Sequence, residues 1–173
     1  LSDESRYTLT LDFARSLGAL SLGSGSKLIT HLVGRKSIPA RRIIDVITHP
    51  TDGVAGYRED PLKKKAMLLL MALANRPEKF VVPESDFLWR PIIDYHVMRV
   101  LLRTGLVVLP QDWRKENIDR LFVTPEREEA IRKACFDVSV LMIRESGRTM
   151  AELDQLLWMA RRYCPEMELP KCT

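Results

Sequence analysis

The chain predicts an all-α fold. Apolar residues recur at three- and four-residue spacing through most of its segments, and helix start and stop signals bracket those segments. No stretch carries the two-residue alternation of a half-buried strand, and there is no internal repeat or low-complexity tract.

Taken in order, residues 5–22 predict a first helix around Leu11, Phe13, Ala14, Leu17 and Leu20, then a flexible Gly23-Ser24-Gly25-Ser26. Residues 27–33 predict a short helix closed by Gly34. Pro39 starts the next, with Ile43, Ile44, Val46 and Ile47 as its apolar positions and His49-Pro50 as its end. Residues 51–60 are a turn-rich connector holding Gly53 and Gly56. Asp60-Pro61 reads as an N-cap followed by a first helical residue. The stripe behind it is Leu62, Ala66, Leu69, Leu70 and Leu73, and Lys63, Lys64 and Lys65 crowd its first turn.

Residues 76–88 form a Pro-containing loop. The central helix follows, with Asp94 as N-cap and Gly105 at a stop position that favours a left-handed residue. Val97, Val100 and Leu101 share one face, and His96, Arg99 and Arg103 another. Beyond Pro110 and Trp113 the pattern is mixed. Thr124-Pro125-Glu126 opens a helix with Ile131, Cys135, Val138 and Met142 facing inward, and Ser146-Gly147 breaks it. The last helix starts near Thr149, puts Leu153, Leu156, Leu157 and Ala160 on one side, and ends at Tyr163-Cys164-Pro165.

With 173 residues, 46% hydrophobic and 29% charged, the composition is that of an ordinary globular chain with enough material for a core. No apolar run is long enough to span a bilayer and no secretory signal pattern is present. Leu1 as first residue suggests a natural sequence that extends further. The balance is 27 basic against 23 acidic residues. The excess lies up to Arg114, with 17 basic and 12 acidic residues, against 10 and 11 beyond it. Such a bias permits a nucleic-acid partner without requiring one. Three Cys in an intracellular-looking chain argue against a disulfide scaffold, and Cys135, on an apolar helix face, reads as core.

Residues 91–107 carry a resemblance. Asp94-Tyr95-His96-Val97-Met98-Arg99-Val100, then Arg103 and Gly105-Leu106-Val107, resembles the D-x-H-x-x-R-V-x-x-R-x-G-L-V segment of the helix-hairpin-helix DNA glycosylases, the endonuclease III-like superfamily of base-excision repair. There the Asp is the carboxylate used in glycosidic cleavage. Upstream, the family places a hairpin of the form L-P-G-x-G-x-K-T-A, whose glycine-rich turn offers N–H groups to a DNA phosphate. Its Lys is the nucleophile of the bifunctional members. Aligning Ala66 with the last position puts Lys64 on the nucleophile, with Lys63 and Lys65 as one-residue alternatives.

An amine suits this role because it can attack the sugar C1′ and form a Schiff base once it is neutral. Pro61-Leu62 stands where two glycines should be, and the Lys-to-Asp gap is longer than in endonuclease III-like members, closer to some divergent branches. The plain alternative is a solvated basic face, although three Lys lie at the unfavourable end of the helix dipole. For Asp94, capping and catalysis are compatible.

At the other end, Leu156-Leu157-Trp158-Met159-Ala160-Arg161-Arg162-Tyr163-Cys164, followed after seven residues by Cys172, resembles the start of the family's iron–sulfur loop. That loop runs from G-R-x-x-C into C-x6-C-x2-C-x5-C. A [4Fe–4S] cluster needs four thiolates, so it is implied only if the natural chain supplies two more Cys. The first spacing here is one residue long, and Ala160 replaces the Gly.

The resemblance extends from Tyr57 to Cys172, about two-thirds of the chain. It implies two helical lobes with a central cleft, residues 1–22 and 93–173 in one and 23–92 in the other, with Lys64 facing Asp94. The implied protein is a monomeric DNA base-excision repair glycosylase, with AP-lyase chemistry if the Lys is active, acting on damaged double-stranded DNA in the cytoplasm (nucleoid) or nucleus, with no membrane partner. Lys63, Lys65, Arg58 and Arg99 would contact DNA. Two other readings stand beside it: a helix-hairpin-helix relative that binds nucleic acid without catalysis, and an all-α interaction domain with fortuitous motifs. His31 and His49 read as structural, His96 as turned away from Asp94 and bonded to backbone. Trp89, Trp113 and Trp158 read as packing residues, and Tyr57 could line a groove.

Overall fold

The computed structural model describes residues 3–20, 22–33, 39–78, 80, 81, 83, 84, 87, 89–118 and 123–166. Among them lie eight helices and no strand: α1 (Asp3–Ala19), α2 (Gly25–Val33), α3 (Ala40–Ile47), α4 (Lys64–Asn75), α5 (Tyr95–Arg103), α6 (Gln111–Ile118), α7 (Pro125–Ser146) and α8 (Met150–Ala160). The all-α expectation holds. No helix of the described residues is long and apolar enough to cross a membrane. By its internal contacts the chain divides into Leu1–Trp89 and Arg90–Thr173; the sequence reading had grouped residues 1–22 with 93–173.

In the first unit α3 packs on α4. Ile43, Ile44 and Ile47 are buried on one side of α3, as their spacing predicts, and Ala66, Met67, Leu70 and Leu73 on α4. Pro39 has no side-chain group with which to cap α3. Glu84 does so instead, its carboxylate accepting from the Ala40 amide at 3.0 Å. In the connector, the Ala55 amide donates to the Ser16 hydroxyl of α1 at 3.2 Å. Gly53 is required there, because a Cβ would collide with the backbone of His49 and Ile47.

Two boundaries differ from expectation. Gly25 and Ser26 belong to α2, because the Ser24 hydroxyl accepts from the Lys27 amide at 3.2 Å and caps the helix; the Gly/Ser run is a helix start. Asp60-Pro61 does not begin α4. The chain first closes a turn, with the Lys63 amide bonded to the Asp60 carbonyl, and the helix begins at Lys64. Gly34 lies outside the described residues.

In the second unit α5, α7 and α8 pack on one another. Their shared core contains Ile93, Val97, Val100, Leu101, Ile131, Cys135, Leu153, Leu157 and Cys164. Each helix carries the cap its sequence announces. Asp94 caps α5, Thr124 with Pro125 opens α7, and Gly147 ends α7 in the left-handed region. Thr149 and Glu152 form a reciprocal capping box on α8. Leu156 is a correction: it points outward, 51% exposed, because the inner stripe of α8 is Met150, Leu153 and Leu157. The mixed segment contains α6, whose sequence has too little apolar periodicity to announce it.

Candidate functional site

Asp94 has extended backbone geometry, and its Oδ1 accepts from the Val97 amide at 2.9 Å. The carboxylate is half-buried and has a second acid for company. Asp154 of α8 has its pKa pushed up to about 6, first by burial and then by the negative charge of Asp94. Sequence reasoning missed Asp154. Its signal was an acid set between the apolar positions Leu153 and Leu157 of a helix whose inner stripe contains both. An acid held between neutral and charged near pH 6, beside a second acid, can donate or take a proton in the physiological range.

Among the described residues His96 is bonded to Arg99 and not, as had been expected, to backbone. Its Nδ1 lies 3.1 Å from the Arg99 guanidinium, which can only donate, so Nδ1 must be the accepting nitrogen. Arg99 also donates through Nε to the Cys164 carbonyl at 2.8 Å and lies over the Tyr95 ring at 5.8 Å. One turn further on, Arg103 donates to the carbonyls of Pro165 and Glu166 at 2.6 and 3.5 Å. These two arginines fasten the turn after α8 to α5. The D-x-H-x-x-R-V-x-x-R spacing in this chain therefore has a structural use of its own.

The basic turn belongs to the first unit. The Asp60 carboxylate accepts from the amides of Leu62 (3.1 Å) and Lys64 (2.9 Å), and the Asp60 carbonyl from that of Lys63 (2.9 Å). Amides that a glycine-rich turn would offer to a phosphate are thus occupied by Asp60. Lys63 adopts φ 57 and ψ 30, the one positive-φ residue other than glycine among the described residues. A side chain in this region carries a cost of about 1–2 kcal/mol. No described carboxylate pairs with the ammonium of Lys63, Lys64 or Lys65, and no described acceptor is bonded to the amides of Lys65 and Ala66.

Arg58 is spent locally. It donates to Glu59 at 2.9 Å and to the carbonyls of Thr51 and Gly53 at 3.0 and 3.3 Å, bracing the connector.

Cys164 lies in the apolar core of the second unit, 3% exposed. Cys135 is fully buried, and burial pushes its thiol up to about 11, the behaviour of a core residue. Cys172 lies outside the described residues. No group of three or more His, Cys, Asp or Glu among the described residues could hold a metal ion. Of the two thiols that the resemblance assigns to the cluster, only Cys164 is among the described residues, and it belongs to the buried core of the second unit.

Trp113 packs partly buried against the second core, as expected, with Arg127 stacked over its ring at 5.2 Å. Trp89 meets Phe87 edge-on at 5.1 Å. Trp158 is instead 42% exposed and covered on one face by Arg161, whose guanidinium lies 3.6 Å from the ring centroid.

Compared with known proteins, the chain matches no family model, no curated protein and no solved structure.

Proposed function

We propose that the chain acts on DNA through the basic turn that opens α4, as a base-excision glycosylase with AP-lyase capacity. The carrying observation is three consecutive lysines without a carboxylate partner among the described residues, with Lys65 exposed in the first turn of α4. Cations in that arrangement suit a backbone phosphate. In the mechanism that the resemblance implies, the neutral Lys64 amine attacks C1′ of a flipped nucleotide and the C1′–N bond breaks. The base leaves with the bonding pair, and a Schiff base follows. The resemblance gives Asp94 the part of the carboxylate that takes a proton or offsets the charge on the sugar. The substrate is damaged double-stranded DNA, met by a monomer in a nucleoid or nucleus.

Binding without catalysis is the second reading. It is favoured by Asp60, whose hold on the turn amides leaves fewer of them for a phosphate than the family hairpin has.

Borohydride trapping on duplex DNA with an abasic site tests the first reading. A covalent adduct lost in Lys64→Gln supports it, and one lost instead in Lys63→Gln or Lys65→Gln keeps the mechanism with a shifted nucleophile. Salt-dependent binding with neither adduct nor base release selects the second reading. Absence of both adduct and binding sinks both.

A further inference from the structure

Within the first unit, α1, the connector and α4 line an open surface groove of about 740 Å³, a volume inside the range of small-molecule sites. Its walls are apolar: Leu9 and Phe13 from α1, Leu69 and Ala72 from α4. At one end stand Tyr57 and Lys65, beside the bare backbone of Gly56. The Lys65 ammonium sits close enough that a Cβ at Gly56 would lie 3.7 Å from it. Nothing in the sequence motifs accounts for this apolar trough. Leu9 is left 41% exposed on its rim, as is Leu68.

We propose that this groove binds a single-chain amphipathic carboxylate of the fatty-acid class, its chain along Leu9, Phe13, Leu69 and Ala72 and its head at Lys65 and Tyr57. One cation with no described carboxylate partner calls for one negative charge. The long apolar walls call for a chain without polar groups. The Tyr57 hydroxyl is half-buried and burial raises its pKa, so it stays protonated and able to donate to a carboxylate. The proposal does not depend on the DNA reading, although both make use of Lys65.

The test is calorimetric titration of the intact protein with octanoate, decanoate and dodecanoate below their micelle concentrations, and with dodecanol. Each added methylene should tighten binding by roughly three- to fourfold until the groove is filled. Dodecanol should bind about tenfold more weakly than dodecanoate, a preference that Lys65→Gln abolishes. Ala72→Trp, at an exposed position, should block the chain and leave the circular dichroism spectrum unchanged; Leu9→Asn serves if that variant misfolds. The proposal is overturned by absence of binding, by affinity independent of chain length, by equal affinity for acid and alcohol, or by full binding in folded groove variants. Uptake onto phospholipid vesicles without binding of monomeric dodecanoate would also overturn it, as it would make the groove a membrane contact.

Discussion

The chain has two clusters of cations, and they are held in opposite ways. In the second unit Arg99 and Arg103 are committed to main-chain carbonyls more than sixty residues away. In the first unit Lys63, Lys64 and Lys65 follow one another with no carboxylate partner among the described residues. Arginine's fixed fork of donors suits permanent ties to carbonyls, whereas lysine's flexible stem and strong hydration suit a surface that meets its partner later. A basic residue in a motif therefore says little about function until its donors have been accounted for. Here that accounting gives Arg99 and Arg58 structural ties of their own, whereas the three lysines have no carboxylate partner among the described residues.

The comparison is broken most directly by removing each cluster. Arg99→Ala with Arg103→Ala should cost about 3 kcal/mol in urea unfolding, since donors to several carbonyls go at once. Lys63→Ala with Lys65→Ala should change stability by less than about 1 kcal/mol while weakening DNA binding. Equal losses in the two pairs would erase the distinction.

A smaller effect concerns Asp154. Its folded pKa, about 6, is raised from the ordinary 3.8, so the folded state holds a proton that the unfolded state releases between those values. The contribution of this group is fully present below about pH 4 and is lost as the pH rises through 6. Asp154→Asn should flatten that fall and raise stability at pH 7 by about 1 kcal/mol, allowing for solvent screening. Denaturation curves of both proteins at pH 4.5 and 7 would check it. An unchanged difference between the two pH values would show that folding does not raise the pKa of Asp154.

The smallest expected effect sharpens the comparison at the lysines. Lys63→Gly should stabilise by about 0.5 kcal/mol, because glycine enters the left-handed region freely but loses more freedom on folding. Thermal unfolding would resolve the sign, and a clear loss would mean that the Lys63 side chain contributes contacts of its own.

Which parts of this were legible in the sequence follows from how far each signal reaches. Asp94, Thr124, Thr149 with Glu152, and Gly147 act on amides or dihedrals within a few residues, so the helices they bound could be placed directly. Ser24 acts at the same range but sat among glycines and was read as a linker. Asp60 looked like an N-cap because a cap and an Asx turn draw on the same carboxylate chemistry, and only the left-handed Lys63 separates them. The Glu84 cap on α3, the grip of Arg99 on Cys164 and the pairing of Asp154 with Asp94 join distant residues, and no local pattern encodes them. For the candidate site, the sequence located Lys64 at a helix start and Asp94 at a cap, but not which neighbouring cations were already engaged.

The arginine ties also set an order of events during synthesis. A chain made from its N-terminus releases α5 long before the carbonyl that Arg99 will hold, which lies 65 positions later. Until α8 and the turn after it have left the ribosome, the apolar face of Val97, Val100 and Leu101 has no α8 to pack on, and Arg99 and Arg103 lack the carbonyls of Cys164 and Pro165. Nascent chains stalled before residue 164 should therefore present a sticky, positively charged helix, the kind of segment that chaperones bind.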